Sequence, residues 1–222
     1  METDSEHKTL NEVFADLEEQ MMTEFFEQRH DLHAISRLLP EKARILDLGC
    51  GDGLFLKYLK VKKNIRPLGI EIDQAKIIEC IANGVSVIHG DLDHKLDFAR
   101  DGSFDYVVLS RTLQEVKRPD KLLTEIVRVG KRALVSFLNF GHFANRWQLA
   151  VHGRMPLSGS LPHAWYETPN IHLGTLKDFR ELCHSLEIEI ICEVPIGRNG
   201  RSSTHLFANL FAHSCVFELK HK

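Results

Sequence analysis

Asp47, Gly49, Gly51 and Gly53 fall at alternate positions within Ile45–Gly53, which reads ILDLGCGDG. An acid followed by alternating glycines suits ligand binding, because glycine lets the backbone turn tightly and lets a ligand approach it closely. A second acid, Glu71, stands 18 positions beyond Gly53. At the end of a second strand, a carboxylate at about that distance can take both hydroxyls of a ribose. A third acid, Asp91, opens the stretch that follows His89 and Gly90, and Ser110–Glu115 (SRTLQE) follows the most apolar strand pattern in the chain. Two nucleotide-site alternatives fail on spacing. A dinucleotide fingerprint requires Gly or Ala at position 54, where Leu54 stands, and a P-loop requires a Gly-Lys-Ser/Thr ending that is absent.

Such residues converge only if strands deliver them to one edge. Ala43–Leu48 reads as a strand with Ile45, Leu46 and Leu48 apolar, the pattern of a sheet buried on both faces. Leu54–Lys60 carries a helical pattern, Pro67–Ile72 a second strand, and Asp73 caps a helix over Gln74–Asn83 that stops at Gly84. Val85–His89 and Ser103–Ser110 read as strands three and four, Pro119–Val129 as a helix ending at Gly130, and Arg132–Leu138 as strand five. Ligands of open α/β sheets sit beyond the carboxyl ends of the strands, so Ser110–Glu115 is expected to face the reacting end of the ligand. Thr175 and Asp178 form a capping-box signature for a helix to Leu186. Glu187–Val194 and Ala212–Leu219 then complete the strands.

Two stretches stand outside this alternation. Asn11–Leu39 is helical in pattern, with a polar step between Phe26 and Leu32 that suits two helices. It is expected to pack over the sheet, or to offer its aromatic stripe to another subunit as an oligomer contact. Asn139–His172 is rich in aromatics, His, Pro and Gly, with a short helix expected over Ala144–His152. A connection that long is a lid or a docking surface. The expected organisation is one domain over 1–222, with an N-terminal helical extension at 1–40 and an aromatic-rich insertion at 139–174.

The 222 residues, 43% hydrophobic and 27% charged, suit one α/β domain with a full core. A net charge of -3 provides no broad basic field for nucleic acid. The five cysteines are scattered, and neither they nor the thirteen histidines show metal-ligand spacing, so no zinc and no disulfide are expected. No apolar run reaches membrane-spanning length and the start of the chain is acidic, which points to a cytoplasmic protein.

The acid-x-Gly-x-Gly-x-Gly run resembles motif I of the class I S-adenosylmethionine (SAM) methyltransferases. That resemblance implies a Rossmann-like fold: a seven-stranded, mostly parallel sheet with an antiparallel last strand, helices on both faces, and here an extra N-terminal helical region. It implies SAM or S-adenosylhomocysteine (SAH) as cofactor. The loop Asp47, Gly49, Cys50, Gly51 and Gly53 would lie along the methionine part, Glu71 with Ile72 at the ribose, Asp91 and Leu92 at the adenine, and Ser110 near the methyl group.

A closer resemblance, over about Ala43–Leu219, is to the MetW family of methionine biosynthesis proteins. It rests on ILDLGCGDG, GIEID at 69–73, FDYVVLSRTLQEV at 104–116, NFGH at 139–142, GRMP at 153–156 and WYETPNIHL at 165–173. Residues 1–34 extend beyond the usual family start. The resemblance implies partnership with homoserine O-acyltransferase. Phe140–His172 is the expected docking surface, because it is too long for a strand–helix connection, leaves the sheet at the ligand edge and displays Phe143, Arg146, Trp147, Arg154, Trp165 and Tyr166, residue types that anchor interfaces. The alternative is an active methyltransferase on a small molecule. Glu115, His142, His163 and Tyr166 are its candidate bases by position alone, and the Asn/Asp-Pro-Pro-aromatic motif of amino-directed enzymes is absent at 110–113, where SRTL stands.

Overall fold

The computed structural model describes residues 22–158, 161, 163–200 and 205–222. Residues 22–28 are helical, and Arg29, at φ −122° and ψ 62°, breaks them from α1 (His30–Leu38). The break falls inside the polar step noted in the sequence. The earlier part of the Asn11–Leu39 pattern, through residue 21, lies outside the described residues.

The core unit runs β1 (Arg44–Leu48), α2 (Leu54–Lys63), β2 (Arg66–Glu71), α3 (Gln74–Ala82), β3 (Val87–His89), β4 (Phe104–Ser110), α4 (Pro119–Val129) and β5 (Gly130–Leu138). Then come α5 (Phe143–His152), α6 (Leu176–Ser185), β6 (Ile188–Ile196), a short helical turn (His205–Phe207), α7 (Ala208–Phe211) and β7 (Ser214–His221). The sheet order is β3-β2-β1-β4-β5-β7-β6. The first five strands pair in parallel, and β7 is antiparallel to both β5 and β6.

Alternation along the strands splits the core into two layers. Val107 and Leu109 face α4 and α6, where Leu123, Ile126 and Phe179 are buried. Phe179 and Phe217 pack there with ring centroids 4.5 Å apart. Val108 faces the other way, with Ile45, Leu134 and Val216, onto Leu56 and Leu59 of α2 and Ile35 of α1. Each such side chain removed from water is worth about 1.5–3 kcal/mol. The aliphatic face of α1 is spent inside the chain, with Leu32, Ile35 and Leu39 all buried.

Several ends differ from the expected ones for local reasons. β3 starts at Val87 rather than Val85, because the Val85 N–H closes the end of α3 on the Cys80 carbonyl at 3.1 Å. β5 starts at Gly130, where the glycine that ends α4 already pairs with Phe104. β7 is displaced toward the C-terminus, with Ser214 pairing with Leu138 and Ile196. The Thr175–Asp178 capping box is present in full.

Candidate functional site

The parallel register brings the ends of β1, β2 and β4 together over a cleft of about 750 Å³. Asp47, Gly49, Cys50, Gly51, Glu71, Ile72, Asp91, Leu92 and Ser110 all line it, as the sequence reading requires. Gly53 does not line it. It stands behind the loop as the N-cap of α2, at φ 75°.

The loop's shape has two separate causes. Gly49 adopts φ +76°, and a Cβ there would lie 2.7 Å from the Thr112 hydroxyl. Gly51 adopts φ +59° with nothing within 4 Å of its Cβ position, which leaves the space above it free for a ligand. Glu71 holds the loop in place. Its Oε2 accepts from the Gly51 N–H (2.8 Å), and its Oε1 accepts from the N–H groups of Ile72 (2.9 Å) and Asp73 (3.0 Å). A carboxylate offers about four acceptor sites, so roughly one remains for a ribose hydroxyl unless the loop yields. The two-hydroxyl grip expected from spacing alone is thus only half available in this arrangement.

The N-terminus of α2 meets a side chain rather than an open anion site. Asp52 Oδ1 accepts from the Leu54 N–H at 3.0 Å and places a negative charge where a dinucleotide's pyrophosphate would sit. Carboxylates also outnumber cations among the lining residues. Both facts favour a cationic ligand over a phosphorylated one. Asp47 is 4% exposed. Burial is the main force on it; Arg29 opposes and Glu71 reinforces, and the carboxyl is pushed up to about 7.

Asp91 does two jobs. Its Oδ1 accepts from the Asp93 N–H (2.9 Å) in an Asx turn, while the residue still lines the cleft. Ile72, 58% exposed, offers a flat apolar surface beside it. Cys50 and Cys80 lie with sulfurs 3.9 Å apart behind the loop, a juxtaposition that their scattered positions did not signal. Burial pushes both thiols up, with Asp47 adding to it, so they stay protonated at neutral pH. Among the described residues, no group of three or more His, Cys, Asp or Glu side chains could hold a metal ion.

The largest feature that sequence reasoning missed is the anchor at the end of β4. Asp31, fully buried, takes the Arg29 guanidinium at 3.1 Å through both oxygens and Arg111 at 3.0 Å. Its Oδ2 also accepts from Ser110 (2.7 Å) and Ser136 (2.9 Å). Burial alone would raise this carboxyl; Arg29 and Arg111 outweigh it and hold it well below the usual carboxylate range. The Ser110 hydroxyl is therefore committed to Asp31 and Arg29 rather than standing free for a methyl group. Phe25, Arg29 and Leu32 join the cleft wall. The only sequence signal was the polar step before Leu32, where charges interrupt an apolar stripe.

The four candidate bases do not converge. Glu115 lines the cleft, with burial pushing its carboxyl up. His142 and His163 line a second chamber, and Glu115 and Arg111 line both spaces. Tyr166 lines neither and is 69% exposed, stacked edge-on against Trp165. His142 caps α5 with its Nδ1 accepting from the Ala144 N–H at 3.2 Å, and burial pushes it down to about 4.

A glycine loop at the first strand end, an acid at the second and this strand order together define a class I SAM-methyltransferase-like protein. Known structures bear the fold out. A SAM-dependent methyltransferase from Thermotoga maritima superposes with a TM-score of 0.66 at 19% identity, over 94% of this chain and 96% of that one. The [4+2]-cyclase SpnF superposes at 0.63 with 18% identity, over 88% and 81%. The chain belongs to the MetW family: the model for "Methionine biosynthesis protein MetW" matches residues 29–219. That match begins at Arg29, so the anchor lies inside the family region, earlier than the expected start after residue 34. A bifunctional methionine biosynthesis protein MetXA/MetW from Rhodopirellula baltica is 35% identical over 173 residues, 74% of this chain. The matched part is only 28% of that longer protein.

Proposed function

We propose that the cleft binds SAM or SAH, and that the chain is a ligand-responsive partner of homoserine O-acyltransferase in methionine biosynthesis. One observation carries the partnership: in the Rhodopirellula relative, MetXA and MetW are joined in one bifunctional chain. Joining two modules raises their effective concentration for each other, which is useful when they must meet to work. The acid-rich cleft, with Asp52 capping α2, supports a sulfonium- and ammonium-bearing ligand over a nucleotide phosphate. SAM is the pathway's end product, so its binding is a natural feedback signal. It can act only by favouring one partner-binding state over another.

The docking surface on this reading is the face formed by α5, the segment after it, and α7. Trp147, Trp165 and Tyr166 are about 70% exposed there, and Phe143 and Phe211 are about half exposed and pack on each other. Among the described residues no helix is long and apolar enough to cross a membrane, in keeping with work in the cytoplasm. The test is co-purification of the chain with its homoserine O-acyltransferase, with and without SAH. A stable complex whose amount or activity changes with SAH supports the proposal; no complex in either condition overturns it.

A second reading, methyl transfer to a small molecule, is favoured by the shared wall of cleft and chamber at Arg111 and Glu115. Radiolabelled SAM incubated with the protein and a small-molecule extract distinguishes it, since only an enzyme moves label into a new metabolite.

A further inference from the structure

The second chamber, about 990 Å³, has a chemistry unlike that of the cleft. It is walled by the ends of β5 and β6, the start of β7, the first turn of α5 and the junction before α1. His142 and His213 form its floor, their rings stacked with centroids 4.0 Å apart. Because His142 Nδ1 accepts from the Ala144 N–H, its proton sits on Nε2, which is thereby a donor. Arg198 lies next in the row and makes no ion pair among the described residues. His30 and His163 complete the basic side. Glu27 and Glu115 are the carboxylates on the lining.

Among the described residues no ion pair joins this row to either carboxylate. Burial first, and then each neighbour, holds the two histidines uncharged: His213 disfavours the charge on His142, and Arg198 disfavours it on His213. Arg111 stands at the junction with the cleft. It is in the left-handed backbone region at φ +60°, and its buried Nε has no hydrogen-bond partner. Strain and an unmet donor beside a chamber mark a place held for something other than folding.

We propose that this chamber is an anion site, separate from the cofactor cleft but sharing a wall with it, that takes a small carboxylate- or phosphate-bearing metabolite against Arg198, Arg111 and the His142–His213 stack. An anion there supplies a counter-charge and favours protonated rings, His142 giving up the Ala144 N–H at Nδ1 as it gains its proton, so that the rings become charge-assisted donors. Binding therefore takes up protons and strengthens as pH falls below the ordinary histidine range, toward the lowered range of the two rings. The site is testable apart from the cofactor reading, since Arg198, His142 and His213 line the chamber and not the cleft, although Arg111 lines both.

The test follows the histidine Cε1–H NMR signals of the full-length protein during titration with succinate and, separately, with inorganic phosphate. We expect saturable shifts of the His142 and His213 signals with at least one anion. Their apparent pKa should rise by about a unit, equal to about tenfold tighter anion binding to the protonated form. The stronger titrant identifies the class as carboxylate or phosphate. Arg198→Ala, at an exposed position, should weaken the effect about tenfold while leaving SAH binding unchanged, and His213→Phe should keep the ring stack but reduce the proton uptake to the share of His142. Unmoved signals with both anions overturn the site. So do equal shifts from sodium chloride at matched ionic strength, or an Arg198→Ala protein that titrates like the wild type.

Discussion

At the residue scale the cleft depends on two carboxylates with different tasks. Glu71 shapes the loop by accepting three backbone N–H groups, and on the proposed reading it also meets the ribose. Charge-assisted bonds of this kind are worth about 1.5–3 kcal/mol each. Glu71→Ala should therefore weaken SAH binding at least about tenfold by calorimetry and also lower the melting temperature. Unchanged affinity would remove Glu71 from the site. Asp47 carries the pH dependence. With its free carboxyl near 7, a ligand ammonium favours the ionised form, so binding releases a proton. SAH affinity should rise from pH 6 to pH 8 by up to about tenfold per unit below the pKa and level off above it. Asp47→Asn should bind weakly with no such slope; a wild type with a flat profile over that range shows that Asp47 does not sense the ligand. Both acids were legible in the sequence because spacing along one strand–turn–helix unit sets their positions. What spacing hid was occupancy: Glu71 Oε1 is taken by residues 72 and 73, and the Ser110 hydroxyl by Asp31.

At the scale of elements, α1 is fastened to the sheet by charge as well as by Leu32, Ile35 and Leu39. Removing one partner from a buried ion network costs about 3–5 kcal/mol, because the remaining charges lose their compensation. Asp31→Ala, which leaves Arg29 and Arg111 unpaired, should lower unfolding free energy by about that much in urea titrations; a loss under about 1 kcal/mol would show that the arginines find water instead. The sign with pH follows from the depressed carboxyl. Asp31 contributes its full stability above the unfolded value of about 4, and that contribution fades as acid approaches its lower folded value. Helix and strand order was readable from apolar periodicity, and α4 from its proline start and apolar spacing. The anchor was not readable, because Asp31 meets Ser136 across 105 residues and no local pattern encodes such a pairing.

At the scale of the whole molecule, the alternation of strands and helices made the parallel part of the sheet legible, while the reversed β7 was expected from the family resemblance alone. The segment after β5 resisted, because aromatic side chains held on the surface follow no period: Trp165 and Tyr166 are about 70% exposed. That exposure motivates the prediction for the complex. Trp165→Ala with Tyr166→Ala, hot-spot types worth about 2 kcal/mol or more each at an interface centre, should abolish acyltransferase co-purification and leave SAH affinity unchanged. A double variant that still captures the enzyme moves the docking surface elsewhere. The Asp31 anchor also bears on the order in which the molecule is made. Asp31 leaves the ribosome 79 residues ahead of Ser110, and at about 5–20 residues per second it waits roughly 4–16 s for that partner. Throughout that interval the apolar face of α1 has no sheet to cover it. The nascent chain thus carries the apolar face of α1 early and buries it late, which makes early synthesis a stage at which a chaperone would serve this protein.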